Sequence, residues 1–556
     1  MKRSPRPIAS SAHLLALCLL LASPPLRAQQ QPQPQPQPQK VSAESQATTA
    51  QLQALRDYIK KGWTVLVRSH KELLAAAVDP KFPPPKHGAW LVYVSAKEDP
   101  AAVAARLKAE MPAADFAKIQ VRRLPADPTK VDRPGILYLP RPYVVPGGRF
   151  NEMYGWDSYF IVVGLLADGE IALAKDMVDN FIYEIEHYGT ILNANRSYYL
   201  TRSQPPFLTR MVLDVYNRTR DRAWLEKSIP AIEKYYAYWT SPPHHVPETG
   251  LARYFDLGKG PAPEVLASER DRSGKTHYDR VRGFYKAQPT LADGYDVKLF
   301  YDRARDRLTD LFYVADRSMR ESGFDPSNRF GPFNIGVIHY NPVCLNSLLY
   351  VMEKDTAQIL RLAGKNKDAP VWESRADARK KAIESLLWDE AAGLYFDYDF
   401  VAKARRPYPF GTTFFPLWAG IATPKQARRV AAAALKLLEA PGGLRTSDRE
   451  TGNQWDSPYG WAPLQVIAVD GLRRYGLGKD ADRLAVKFIS LVLKEHIEHN
   501  AIFEKYDVTR RESAVSSGIK FGYASNEIGF GWTNAAVVDL WQDLSPAVRS
   551  QVLKIR

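Results

Sequence analysis

Cysteine is nearly absent, with Cys18 and Cys344 the only two in 556 residues. Too few thiols are present for a cysteine-rich zinc site or a disulfide framework. Histidine is also scarce, at ten, and no His-Glu-x-x-His pattern occurs. His244 with His245 and His496 with His499 are close enough to consider a metal, but no neighbouring carboxylates complete a convincing set, so none is expected. Gly147-Gly148 and Gly442-Gly443 are not followed by Gly-Lys-Ser/Thr, which excludes a phosphate loop, and no cofactor is indicated. Long apolar runs are missing too: Ala12 to Ala22 is too short to span a bilayer as a stable anchor. The net charge of +15 comes without any long basic run. Bases alternate with acids, as in Asp302-Arg303-Ala304-Arg305-Asp306, so nucleic acid is not an expected partner.

What remains is ordinary globular composition, 45% hydrophobic and 25% charged, enough to bury a large core. Residues 1–28 combine a basic start (Lys2, Arg3, Arg6), an apolar run and a small-residue exit at Ala28. That order predicts a signal peptide and an exported protein, periplasmic or extracellular, left with one cysteine and resting on its packed core. Residues 29–49 begin with a Gln-Pro repeat that cannot build a core and reads as a disordered linker. Globular sequence starts near residue 50, with a helix expected over Gln51 to Val78 and broken by Pro80 to Pro85.

Helical periodicity dominates from Met177 onward. Ile171, Ala174, Met177, Val178, Phe181, Ile182 and Ile185 form one apolar stripe, and Trp224, Leu225, Ile229, Ile232, Tyr235, Tyr236 and Trp239 another. Similar segments fall near 302–320, 343–364, 373–387, 411–421, 425–439, 464–475, 480–497 and 533–543. Strand-like alternation is sparse, so the class is mainly α. Helices separated by Gly, Pro, Asp or Asn imply hairpins that present loops to a common face.

One such connection is Pro146-Gly147-Gly148-Arg149-Phe150-Asn151-Glu152-Met153-Tyr154-Gly155-Trp156-Asp157-Ser158-Tyr159-Phe160. It is too polar for core and too aromatic for a solvated loop. Tryptophan and tyrosine rings suit the C–H face of a pyranose, while Arg149 and Asp157 can reach its hydroxyls; the alternative is a structural turn in which those two pair with each other. Gln454-Trp455-Asp456-Ser457-Pro458-Tyr459-Gly460-Trp461 repeats the recipe.

These two stretches resemble the signature motifs of the trehalase family of inverting glycoside hydrolases. The resemblance extends through Asn195-Arg196-Ser197-Tyr198-Tyr199-Leu200-Thr201-Arg202-Ser203-Gln204, Glu321-Ser322-Gly323-Phe324-Asp325, Glu504-Lys505-Tyr506-Asp507 and Gly529-Phe530-Gly531-Trp532. It implies an (α/α)6 barrel occupying 50–556 with an N-terminal extension, a monomer, and a small disaccharide substrate. It also implies Asp325 as general acid and Glu504 as general base, with Arg149, Trp156, Asp157, Asn195, Arg202, Gln204, Glu264, Gln454, Trp455 and Asp456 around the sugar. Physically, Phe324 and Phe330 are placed to desolvate Asp325, and Lys505 to hold Glu504 ionised.

Three departures bear on substrate. Ala262 stands where the family places an arginine, with Glu264 retained; Cys344 replaces a carboxylate; and Ser516 to Tyr523 differs from the family's glycine-rich lid. Lys259 or Lys520 is a candidate to supply the missing cation, while Val265, Tyr523 and Cys344 are candidates for a less polar wall. The readings left open are a trehalase, a glycosidase for another small α-linked glucoside, a carbohydrate-binding relative without catalysis, and a basic protein held on anionic envelope polymers.

Overall fold

The computed structural model describes residues 46–85, 88–127, 130–268, 273–288, 291–515, 517–523 and 525–554. Its helices pack into two layers. The inner ring is made of α2 (Asp157–Ala167), α4 (Leu208–Thr219), α6 (Val343–Leu362), α8 (Phe415–Ala419), α10 (Ala462–Arg474) and α12 (Gly531–Gln542). Each packs on the next, and α12 closes on α2. The outer helices are α1 (Thr49–Leu66), α3 (Ile171–Tyr188), α5 (Arg222–Thr240), α7 (Ala369–Leu386), α9 (Pro424–Leu438) and α11 (Gly478–His499). Helix α9 shows why these lie outside: its buried residues, Ala427, Val430, Ala431, Ala434 and Leu438, make a single stripe. In α2, by contrast, the run from Asp157 to Val162 is buried without interruption. The result is the expected (α/α)6 barrel.

Caps set the boundaries. Thr48 and Thr423 form capping boxes at α1 and α9, and Asp221 accepts from Trp224 N–H at the start of α5. The helix expected over Gln51 to Val78 is instead two helices, because Val67–Arg68 pairs with Tyr143–Val144 and Ser69 caps a new turn that runs into the short helix Leu73–Ala77. A three-stranded parallel sheet follows in the extension, with β1 (Trp90–Val94) between β2 (Ile119–Arg123) and β3 (Ile136–Leu137). The helix Pro100–Glu110 lies in the crossover from β1 to β2.

The inner helices begin at one mouth of the barrel, and the loops that enter them carry the motif residues. Two short strands bring distant motifs together there. Strand β4 (Tyr459–Trp461) pairs antiparallel with β5 (Lys505–Asp507), setting Trp461 opposite Lys505 and so placing Glu504 beside the second Trp motif.

Candidate active site

A cavity of about 110 Å³ opens at this mouth and is lined by Asp325, Glu504 and Asp157 among others. Glu504 is buried and held from every side. Its N–H donates to Glu527 O at 2.9 Å, and the Trp532 indole donates to its carbonyl at 3.0 Å. One carboxylate oxygen meets Lys505 Nζ at 3.1 Å and the other accepts the Tyr523 hydroxyl. Burial, reinforced by the Glu504 charge, pushes Tyr523 far above the ordinary phenol range, so it stays a donor. Burial lowers the Lys505 pKa, and the neighbouring carboxylate opposes that shift.

Asp325 lies beyond the helix Asp310–Glu321. The turn depends on Gly323 at φ 76°, where a Cβ would come within 2.9 Å of the Trp156 ring. Gln454 Nε2 donates to the Asp325 carbonyl, and Arg320 Nη1 stands 3.8 Å from its carboxylate, which is 32% exposed. The expected aromatic desolvation is only partly realised. Phe324 packs against Trp156 and Trp455 at the cavity wall, whereas Phe330 stacks with Tyr340 and Arg329 away from it. Asp157 is a third carboxyl at the N-terminus of α2. Burial first, then the charges of Glu504 and Asp325, push its pKa well above the usual carboxylate range despite its backbone hydrogen bond.

Three guanidiniums face the same space. Arg149 pairs with Glu527 at 3.1 Å, not with Asp157, and lies over the Phe150 and Tyr523 rings. The left-handed Gly148 makes that pair possible, since any Cβ there would collide with the Glu527 carboxyl. Arg202 is buried between Glu264 at 2.5 Å, Asn193 at 3.1 Å and the Tyr199 ring. Burial alone would raise Glu264, but Arg202 and then Arg320 and Arg317 hold it below its ordinary value. Arg320 is held by Asp316 at 3.3 Å.

Of the residues anticipated from sequence, Arg149, Trp156, Asp157, Arg202, Gln204, Glu264, Asp325, Trp455 and Glu504 line the cavity. Three others are spent on the scaffold. Asn195 accepts from Met153 N–H at 2.9 Å and donates to Leu137 O at 3.1 Å. Gln454 spans Asp325 and Tyr523 N–H. Asp456 accepts from Asn328 N–H, Thr451, Tyr408 and Ser447 in a fully buried hub.

Asn193, Tyr199, Arg320 and Lys81, not singled out from sequence, also line the cavity, as does Tyr154 of the stretch 146–160. Arg320 directly precedes the Glu321–Asp325 block, and Asn193 lies two residues before Asn195, so proximity to the motifs was the available signal.

The three departures are accounted for. Ala262 is fully buried with its N–H on Tyr278, and Tyr278 in turn holds Asp316, the partner of Arg320; neither Lys259 nor Lys520, the cations considered for this gap, lines the cavity, whereas Arg320 does. Cys344 lies outside the cavity lining, against Arg329, whose carboxylate partner is Asp397. Val265 is likewise core, and Tyr523 presents its hydroxyl to Glu504. The histidine expectation changes in detail. Glu495, Glu498 and His499 bring ligand-type atoms within 4.8 Å of one another, but Lys494 already sits 2.6 Å from Glu495 and 3.7 Å from Glu498.

The chain belongs to the trehalase family, whose pattern it matches over residues 22–545. It is 40% identical over 440 residues to the cytosolic neutral trehalase of Neurospora crassa, covering 72% of this chain and 58% of that one. The cytosolic neutral trehalase of Saccharomyces cerevisiae is 40% identical over 433 residues, covering 71% and 56%. The chain thus spans less than two thirds of the length of these curated relatives. Among solved structures, neutral trehalase Nth1 from Saccharomyces cerevisiae superposes with a TM-score of 0.76 at 32% identity, covering 91% of this chain and 96% of that one.

These relatives correct one expectation. They are cytosolic proteins, which points away from the exported, periplasmic or extracellular protein read from residues 1–28. That reading rested on a short compositional pattern alone, and those residues lie outside the described ones. Among the described residues, no helix is long and apolar enough to cross a membrane.

Proposed function

We propose that the protein hydrolyses α,α-trehalose to two glucose molecules with inversion, Asp325 acting as general acid and Glu504 as general base. The observation that carries this reading is one cavity holding both carboxyls together with Arg149, Arg202 and Arg320. Relatives at 40% identity are named neutral trehalases, and the solved neutral trehalase Nth1 shares the fold. Asp325 protonates the glycosidic oxygen as the C–O bond breaks; Glu504 takes a proton from the water that attacks the opposite face of the anomeric carbon. Lys505 and Tyr523 hold the Glu504 carboxylate in one orientation, leaving its proton-accepting role to the electron pairs that face the cavity. Arg320 supplies the guanidinium that Ala262 does not. Asp157, whose ionisation burial disfavours, adds a polar contact for a sugar hydroxyl.

The test is direct. Asp325→Asn and Glu504→Gln are each expected to lower kcat by about a hundredfold or more with thermal stability nearly unchanged. Early proton spectra of trehalose turnover should show β-glucose and α-glucose in equal amounts. Residual activity above a few per cent in either variant, α-glucose alone, or a tenfold preference for kojibiose, nigerose or maltose over trehalose would each overturn the corresponding part.

A further inference from the structure

The N-terminal extension reaches into the cavity. Lys81 is one of its lining residues, although it follows the short helix Leu73–Ala77 and belongs to no barrel helix. Its delivery is built by Arg196, a fully buried guanidinium in the loop that also carries Tyr199 and Arg202. Arg196 donates to the carbonyls of Ala76 at 2.6 Å, Ala77 at 3.1 Å and Val78 at 3.3 Å. Those are carbonyls that a helix C-terminus leaves without partners, where a cation also suits the helix dipole. Asp79 then anchors the following turn, accepting from Lys81 N–H at 3.1 Å and from the Tyr198 hydroxyl at 2.8 Å. Residues 76–81 are therefore fastened to a cavity wall through their backbone.

The ammonium of Lys81 joins this fastening only through long contacts, although burial that would raise the Glu152 pKa is countered first by the Lys81 charge and then by Arg196. Nζ stands 3.4 Å from Tyr198 Oη, 3.7 Å from Asp79 and 3.9 Å from Glu152. Both carboxylates have nearer partners: Glu152 has Arg196 at 2.7 Å, and Asp79 has Tyr198. A lysine recruited to satisfy a carboxylate sits about 1 Å closer than this. The side chain is only 11% exposed, and an ammonium so placed needs oxygen partners for its N–H groups. The face still open to it is the cavity.

We propose that Lys81 contacts the substrate, donating to hydroxyls of the sugar ring at the side of the cavity walled by Tyr154 and Tyr199, so that the extension is part of the binding site. The proposal rests on the glycosidase reading for the identity of its ligand. A contact of this kind holds substrate and transition state alike, so its loss falls on KM.

Lys81→Met keeps the apolar stem and removes the three donors. It is expected to raise KM for trehalose about tenfold with kcat within about twofold. In the Glu504→Gln background, which separates binding from turnover, it is expected to weaken trehalose binding by the same factor in calorimetry. Lys81→Gln, which restores a neutral donor on a shorter arm, should fall between. Unchanged KM and binding in Lys81→Met would overturn the proposal, as would a loss confined to kcat or a fall in Tm of more than about 5 °C in both variants, which would assign Lys81 to the fold. If the wild-type protein proves to prefer another disaccharide of the panel above, the trehalose reading falls. The Lys81 variants are then read on the preferred sugar, with the same expected and overturning results.

Discussion

At the scale of single residues, the cavity is a set of charges each held by another. Ala262 donates to Tyr278, Tyr278 to Asp316, Asp316 holds Arg320, and Arg320 faces Asp325. Position 262 therefore reaches Asp325 only through this chain of contacts and does not itself line the cavity. Ala262→Arg, which the sequence alone marks as a repair, is expected to fail. A guanidinium at a fully buried position must displace Tyr278, and kcat/KM and Tm should both fall. Arg320→Lys keeps the charge but loses the fork that can meet Asp316 and substrate together. It is expected to lower kcat/KM on trehalose by about tenfold or more, one charge-assisted hydrogen bond being worth ~1.5 kcal/mol or above. Steady-state kinetics and thermal unfolding on both variants check this, and an Ala262→Arg protein that gained activity would contradict it. Residue types and motif order pointed to nine of the residues that line the cavity. They did not decide which amide of Asn193-Ala194-Asn195 faces the cavity, because that depends on the backbone path through Tyr154 and Ala194, a bridge between distant segments.

At the scale of elements, the site depends on how helices end and where loops enter the barrel. Gly323 closes the helix that carries Arg320 and turns the chain towards Asp325 with Trp156 against it. Gly323→Ala combines a left-handed backbone with a collision at the Trp156 ring, so it should cost about 1–3 kcal/mol of stability and disturb the Asp325 carboxyl. We expect a lower Tm with a larger fractional loss in kcat than in stability-corrected KM; a variant indistinguishable from wild type in both would show that the wall yields freely. Helices were the legible elements, since stripes such as that of α9 declare both period and buried face. Their grouping into an inner and an outer ring was not, because it follows from long-range packing such as α12 on α2. The parallel sheet of the extension went unseen for a different reason. Leu91-Val92-Tyr93-Val94 is buried on both faces, and a short apolar run of that kind lacks the alternation that marks a half-exposed strand. The helix expected through Val67 and Arg68 failed because pairing with Tyr143 and Val144 outweighed local propensity.

At the scale of the whole molecule, the barrel has a second mouth, where the inner helices finish. Asp214 of α4, Asp470 of α10 and Asp539 of α12 face one cavity there, with Arg210, Arg218, Arg473, Arg474, Asp543 and Tyr159 around them and Asp355 close to Arg210. Burial, opposed by Arg210, pushes Asp214 up to about 7. Burial and the neighbouring Asp543 push Asp470 up to about 7, and burial with Asp470 and Asp543 drives Asp539 well above its ordinary value. In the unfolded chain these carboxyls ionise near about 4. Between that value and about 7 the folded protein therefore binds more protons than the unfolded one, and stability falls as pH rises through the window. Above it the cost is fully present; below about pH 4 it vanishes. Asp214→Asn and Asp470→Asn remove a charge the fold resists, so each should stabilise the protein at pH 8 and leave it unchanged at pH 4. A full shift of about three units would correspond to ~4 kcal/mol, but this mouth is open to solvent, and a gain on the order of 1–2 kcal/mol is expected. Because the two sites interact, the double variant should gain less than the sum of the singles. Thermal unfolding of the three variants from pH 4 to 8 decides the matter: the gain must appear as pH rises and be absent at the acidic end. A gain independent of pH would mean that packing, not proton binding, had changed, and a loss at pH 8 would mean that Arg210, Arg473 and Arg474 already neutralise these carboxylates in the folded protein.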